Sequence, residues 1–168
     1  MEARAKLLGH PIHQMLIVFP LGLLGGSVVF DVVYLVNRAG HWADIAFWLV
    51  AAGVVSGLLA AVFGFIDWLS IPAGTRAKRV GLLHGAENVI VVVLFAASWL
   101  LRRPDPQNPS MLPIGLSFAG LALACVTGWL GGELVDRLGV GVDDGANLDA
   151  PNSLTHPSVS AGKPAAIT

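Results

Sequence analysis

Four long apolar stretches, each about the length needed to cross a bilayer as helix, leave this chain few ways to fold. A hydrocarbon core about 30 Å thick takes about 20 apolar residues in helical form. In lipid, only helices and closed barrels satisfy their own backbone polar groups. The stretches predict spans at about 12–36, 45–69, 80–101 and 111–135. Between them, "NRAGHWAD", "IPAGTRAKR" and "RRPDPQNPS" carry the Pro, Gly, Asn and charge that end helices. The expected fold class is all-α, an integral membrane four-helix bundle. Composition agrees: 55% of the 168 residues are hydrophobic and 12% charged, about half the charged share of a soluble domain.

The expected organisation is a four-span domain over 1–142 and a disordered C-terminal tail over 143–168. The tail is rich in Pro, Ser, Asn, Ala and Gly, and His156 within it is expected to be solvated. All five tryptophans fall near predicted span ends, where an amphipathic indole is favoured. Arg4, Lys6, Arg76, Lys78, Arg79 and Arg137 fall on one side, and Arg38, Arg102 and Arg103 on the other. This bias predicts both termini in the cytoplasm. No small-residue cleavage site follows the first apolar run, so it reads as a retained span.

Each span holds a G-x-x-x-G pair: Gly22/Gly26, Gly53/Gly57, Gly81/Gly85 and Gly128/Gly132. Small residues four apart let helices approach closely, so a tight bundle is expected. Pro20 removes a backbone hydrogen bond and should kink the first helix. Pro11 suits the first helical position, which makes His10 a cap and puts His13 in the first turn.

Several function classes fall away. A net charge of −1 argues against a basic nucleic-acid face. The lone Cys125 rules out an internal disulfide, a zinc ribbon and a C-x-x-C-H haem attachment, and reads as a small apolar packing residue. No G-x-S-x-G, H-E-x-x-H or P-loop is present.

The polar residues carry the chemistry. The topology gathers His10, His13, Asp67, His84, Glu87, Asn88 and Glu133 at the N-terminal side of the bundle. Ionisable groups within membrane spans usually face partners. His10/His13 and His84/Glu87 are spaced i, i+3, so each pair shares a helix face, as metal ligands in bundles do. His10, His13 and His84, with Asp67, Glu87 and Glu133, form the candidate metal set, suited to Zn, Fe or Mn. Haem b would instead need two axial histidines from different helices, such as His84 with His10 or His13. The bland alternative is a set of interfacial polar residues bonded to one another and to headgroups. At the other side stand Asp31, His41 and Asp44. A two-haem wire across the membrane is disfavoured, because only His41 is available there. Asp31 lies 18 residues past His13, about 27 Å along a helix. It belongs to a different site, caps, or pairs locally with Arg38.

A weak repeat adds to this. "LGHPIHQMLIVF" (8–19) aligns with "LLHGAENVIVVV" (82–93), matching His10 to His84 and His13 to Glu87. "GFIDW" (64–68) echoes "GWLGGEL" (128–134), with the acid displaced by two. Such a repeat would be a parallel one, about an axis along the membrane normal.

"GHPIHQMLIVFPLGLL", "FGFIDWL", "LLHGAEN" and "GWLGGELVDRLGVGV" resemble a bacterial membrane family called domain of unknown function 2231, over about residues 8–142. The resemblance implies a four-helix inner-membrane protein. Some relatives resemble fusions to Rieske-type iron–sulfur domains, which implies a redox neighbourhood and a Rieske-type or other redox membrane protein as partner. Members often have "YRHGVGV" where this chain has "DRLGVGV", so a histidine is missing at Leu138. The chain has no Rieske cysteines of its own. Three readings follow: a metal- or haem-binding redox protein, a proton- or ion-linked transporter, and a structural or assembly subunit, any of them open to homo-oligomers.

Overall fold

A computed structural model describes residues 1–154 of the chain. Two short antiparallel strands, β1 (Lys6–Leu7) and β2 (His10–Pro11), precede the helices, with Lys6 opposite Pro11 and Leu7 opposite His10. The turn between them has positive φ at Leu8 and Gly9, +51° and +85°, the twist that suits a two-residue hairpin. Then come α1 (Ile12–Leu16), α2 (Val18–Asn37), α3 (Gly40–Ser70), α4 (Arg76–Arg102) and α5 (Met111–Gly132). One π-helical turn, Glu133–Arg137, follows α5, and the Leu138 N–H donates to the Glu133 carbonyl.

Four helical segments are long and apolar enough to cross a membrane: 12–37, 40–70, 76–102 and 111–137. They match the expected spans and overrun them at the polar ends. A 27-residue helix reaches about 40 Å, further than the hydrocarbon alone requires. The first span is interrupted at Ile17. Pro20 explains this: it offers no N–H to the Leu16 carbonyl four residues back, and its ring crowds that carbonyl. Pro11 takes the N-cap position, one residue before the expected place, and His13 lies in the first turn. His10 is in β2 and caps nothing.

The helices form a closed ring. α2 packs on α3, α3 on α4, α4 on α5, and α5 on α2. Thus α2 and α4 meet only across the middle. The core there is Leu24, Val28, Val50, Val91, Phe95 and Ala124. Only the Gly53/Gly57 pair has both glycines facing another helix, Gly53 against Leu24 and Gly57 against Val92 and Pro20. Gly22, Gly85 and Gly128 meet nothing within 4 Å. Cys125 is a free thiol on the exposed face of α5.

The packing reveals the repeat in a different register from the expected one. Leu24 of α2 presses on Gly53 of α3, and Phe95 of α4 presses on Gly120 of α5 in the same way. Phe95 follows Leu24 by 71 residues, and Gly120 follows Gly53 by 67. The same offsets relate His13 to His84 and Gly64 to Gly131, each histidine lying on its glycine. His84 is therefore the counterpart of His13, and the match of His10 to His84 is corrected. The sequence offered two histidines three apart, and apolar neighbours could not choose between them. Both histidines lie at the same end, so the two halves run parallel.

The N-terminal segment closes the histidine end. The Met1 ammonium donates to the Gly139 carbonyl at 2.9 Å, and Gly141 N–H donates back to Met1 at 3.0 Å. Residues 143–154, the start of the expected tail, form turns beside this segment, with Asp143 3.7 Å from the Lys6 ammonium. The rest of that tail, His156 included, lies outside the described residues.

Candidate functional site: two histidines across the bundle axis

His13 enters from the start of the first span and His84 from the third turn of α4. Their ring centroids are 6.5 Å apart with planes nearly perpendicular, at 89°. Each is fixed in the same way. His13 Nδ1 lies 2.9 Å from the Ala60 carbonyl of α3, and His84 Nδ1 lies 2.9 Å from the Thr127 carbonyl of α5. A carbonyl only accepts, so Nδ1 carries the proton in both rings. In the neutral imidazole Nε2 is then the bare nitrogen. Glycine one turn further along each receiving helix makes room for the ring. A Cβ at Gly64 would stand 2.8 Å from His13 Cε1, and one at Gly131 3.3 Å from His84 Cε1.

Asn88 distinguishes the second half. Its amide donates to the His84 carbonyl at 2.8 Å, and its oxygen accepts from the Thr127 hydroxyl at 3.2 Å. The amide nitrogen is 3.5 Å from Nδ1 and 3.3 Å from Nε2 of His84. With Nδ1 protonated, Nε2 is the ring nitrogen that can accept from this amide.

Of the other candidate residues at this end, His10, Asp67 and Glu133 are occupied elsewhere. His10 is exposed, with Nε2 3.3 Å from the Ser153 hydroxyl. Asp67 accepts the backbone N–H groups of Arg4 and Ala5 at 2.8 and 3.0 Å, so it anchors the N-terminal segment. Glu133 pairs with Arg76 at 2.6 Å. Glu87 has one buried carboxylate oxygen, Oε2, with no hydrogen-bond partner among the described residues. Among the described residues, no three of His, Cys, Asp and Glu converge as a metal-holding group. The donor chemistry that remains is a facing pair of imidazoles. Two imidazoles are fewer donors than the three or four that protein ion sites of this kind use.

At the opposite end the structure corrects the place of Asp31. Its partner is Arg102, not Arg38. The guanidinium reaches both carboxylate oxygens, at 2.6 and 2.7 Å, and both residues have 0% exposure. Arg102 also donates to the Ser98 and Ser117 hydroxyls at 3.2 Å each. Arg38 ends α2 in the left-handed region, at φ +58°. Its N–H donates to the Tyr34 carbonyl. Sequence reasoning placed Arg102 among loop charges, because a cation at a helix end normally faces water. The available signal was its distance from His84, 18 residues, equal to that of Asp31 from His13.

The sequence itself matches a family model described as a predicted membrane protein, domain of unknown function 2231, over residues 9–144. The chain belongs to that family. No curated protein and no solved structure matches it. In this member of the 2231 family, the matched region includes all four spans, both facing histidines and the Asp31–Arg102 pair.

Proposed function

We propose that this protein is a membrane-embedded carrier of haem b, with His13 and His84 as the axial ligands and a role in electron transfer. The observation that carries the reading is the facing pair itself. Two imidazoles from diagonal helices meet across the axis, each with Nδ1 held by a backbone carbonyl and Nε2 unprotonated, and at His84 only the Asn88 amide, 3.3 Å away, would have to give way to a ligand. Ligating histidines are commonly oriented by such a bond. Bound there, a haem would supply one-electron chemistry. The chain's part is to fix both rings through Ala60 and Thr127, to leave space with Gly64 and Gly131, and to surround the pair with apolar helix. His10 takes no part in this reading. A bacterial inner-membrane location, with the histidine end and both termini in the cytoplasm, belongs to the same proposal and follows from the Lys and Arg bias.

Absorption spectra of the detergent-purified chain test it, with pyridine-extracted haem as the quantitative measure. The wild type and His10→Ala should both show a Soret band and about one haem per chain. His13→Ala and His84→Ala should each lose it. Haem-free protein from haem-replete cells would reject the proposal, as would full retention in His13→Ala.

A second reading has one observation in its favour: both Nδ1–carbonyl bonds tie helices within a hairpin. On this reading the histidines are structural, as in an assembly subunit. It predicts lower stability for both alanine variants and no spectral signal in any of them.

A further inference from the structure

The offsets that relate the two histidines also relate the two charged residues at the far end. Arg102 follows Asp31 by 71 residues, as His84 follows His13. Ser98 follows Ser27 by the same number, and both are fully buried. The bundle is thus two copies of one two-helix unit, facing each other about a pseudo-twofold axis. At one end the facing positions hold the same residue, His and His. At the other they hold opposite charges.

We infer that Asp31 and Arg102 form the recognition pair by which the two halves of the chain select each other rather than a like half of a second copy. In a duplicated bundle every half presents a related face, so a first half could pair with another chain's first half. That pairing would bring Asp31 against Asp31 in a dry site, and second with second would bring Arg102 against Arg102. Only first with second gives the two-bonded pair seen here. Specificity of this kind comes from penalising the wrong partners as well as favouring the right one. A buried ionic contact that fixes pairing is the best-attested use of such a costly feature.

A second observation supports this. The second half has diverged where it must host a cation. Ser117, which accepts from Arg102, stands where the first half has Val50, and both are fully buried. Ser98 donates to the Pro113 carbonyl and lies 3.2 Å from Arg102 Nε, whereas its counterpart Ser27 donates to its own helix at Leu24. The carboxylate side needs no extra acceptors, and the first half supplies none. The inference does not depend on any cofactor.

The test uses the full-length chain in detergent, expressed as two differently tagged copies. Asp31→Arg and Arg102→Asp should each lose most of the folded monomer. The reversal Asp31→Arg/Arg102→Asp should regain a substantial part of it, and adding Val50→Ser should raise recovery further by restoring an acceptor. An apolar pair, Asp31→Leu/Arg102→Met, keeps the test alive if charge variants fail to insert. It should fold but lose discrimination, so that tagged copies co-purify several-fold more than wild type. Two results would overturn the inference: a reversal as damaged as the single variants, or an apolar pair that stays as strictly unexchanged as wild type.

Discussion

The two ends of this bundle sit on the same axis and solve opposite problems. At the Asp31–Arg102 end both charges are answered, although the buried Nε1 of nearby Trp99 has no hydrogen-bond partner among the described residues. Both carboxylate oxygens meet the guanidinium, which also donates to Ser98 and Ser117, and neither ionic residue is exposed. At the histidine end the rings are positioned but not used up. Each Nδ1 has a carbonyl, and among the described residues His84 Nε2 meets only the Asn88 amide, at 3.3 Å, and Glu87 Oε2 meets no donor. A closed polar network specifies a structure, whereas a positioned but incomplete one leaves capacity for a ligand. Ionisable residues at symmetry-related positions of membrane spans can thus serve unlike ends, one structural and one open to a ligand.

The largest effect should come from breaking the closed end. Arg102→Ala leaves Asp31 as a buried charge without its counterpart, a loss of about 3–5 kcal/mol. Unfolding in mixed micelles, followed by tryptophan fluorescence, would measure it. His13→Ala removes one neutral hydrogen bond and should cost much less, about 1–2 kcal/mol. Equal losses would mean that the two ends stabilise the bundle alike.

Within the histidine end, the glycines sharpen the comparison between halves. Gly64→Ala puts a Cβ 2.8 Å from the Cε1 and Nδ1 atoms of His13, closer than such contacts tolerate. The ring must move off the Ala60 carbonyl, and overpacking of this kind costs about 1–3 kcal/mol. Gly131→Ala meets His84 Cε1 at 3.3 Å, which a shift of a few tenths of an ångström relieves, so its cost should stay below about 1 kcal/mol. Thermal unfolding of the two variants side by side checks the order. Gly131→Ala as the more damaging change would mean that His84 is held more rigidly than its distances imply.

Much of this architecture was legible in the sequence for a plain reason. Span length and apolar content answer to the bilayer, so all four helices could be placed before their packing was known. Pro20 announced the break at Ile17 through its missing N–H. The site was legible only in part. His13 and His84 stood out as ionisable groups near apolar runs, but their partners are the carbonyls of Ala60 and Thr127. A backbone acceptor leaves no mark in residue identity. Asp67 and Glu133 looked like ligands because topology gathers them at the right end. Which acid faces inward depends on helix rotation, and both are drawn to the N-terminal segment and to Arg76 instead. Arg102 was hidden because its inward turn requires Asp31 across the axis, a contact 71 residues away.

The smallest expected effect tests how far the halves have diverged at the open end. Thr127 and Asn88 share a hydrogen bond in the second half, while their first-half counterparts are Ala60 and Ile17, which can share none through their side chains. Thr127→Ala leaves the carbonyl that holds His84 in place and removes only the hydroxyl. The Asn88 oxygen then loses its donor, at a cost of about 1 kcal/mol. Replacing both residues with their first-half counterparts, Thr127→Ala/Asn88→Ile, removes donor and acceptor together, and paired removal is close to neutral when the shape is kept. The double variant should therefore be more stable than Thr127→Ala alone, as a denaturant series on both would show. If it is less stable, the amide of Asn88 supports His84 in a way that the first half achieves for His13 by other means, and the two rings are not held as equivalently as their matched 2.9 Å bonds indicate.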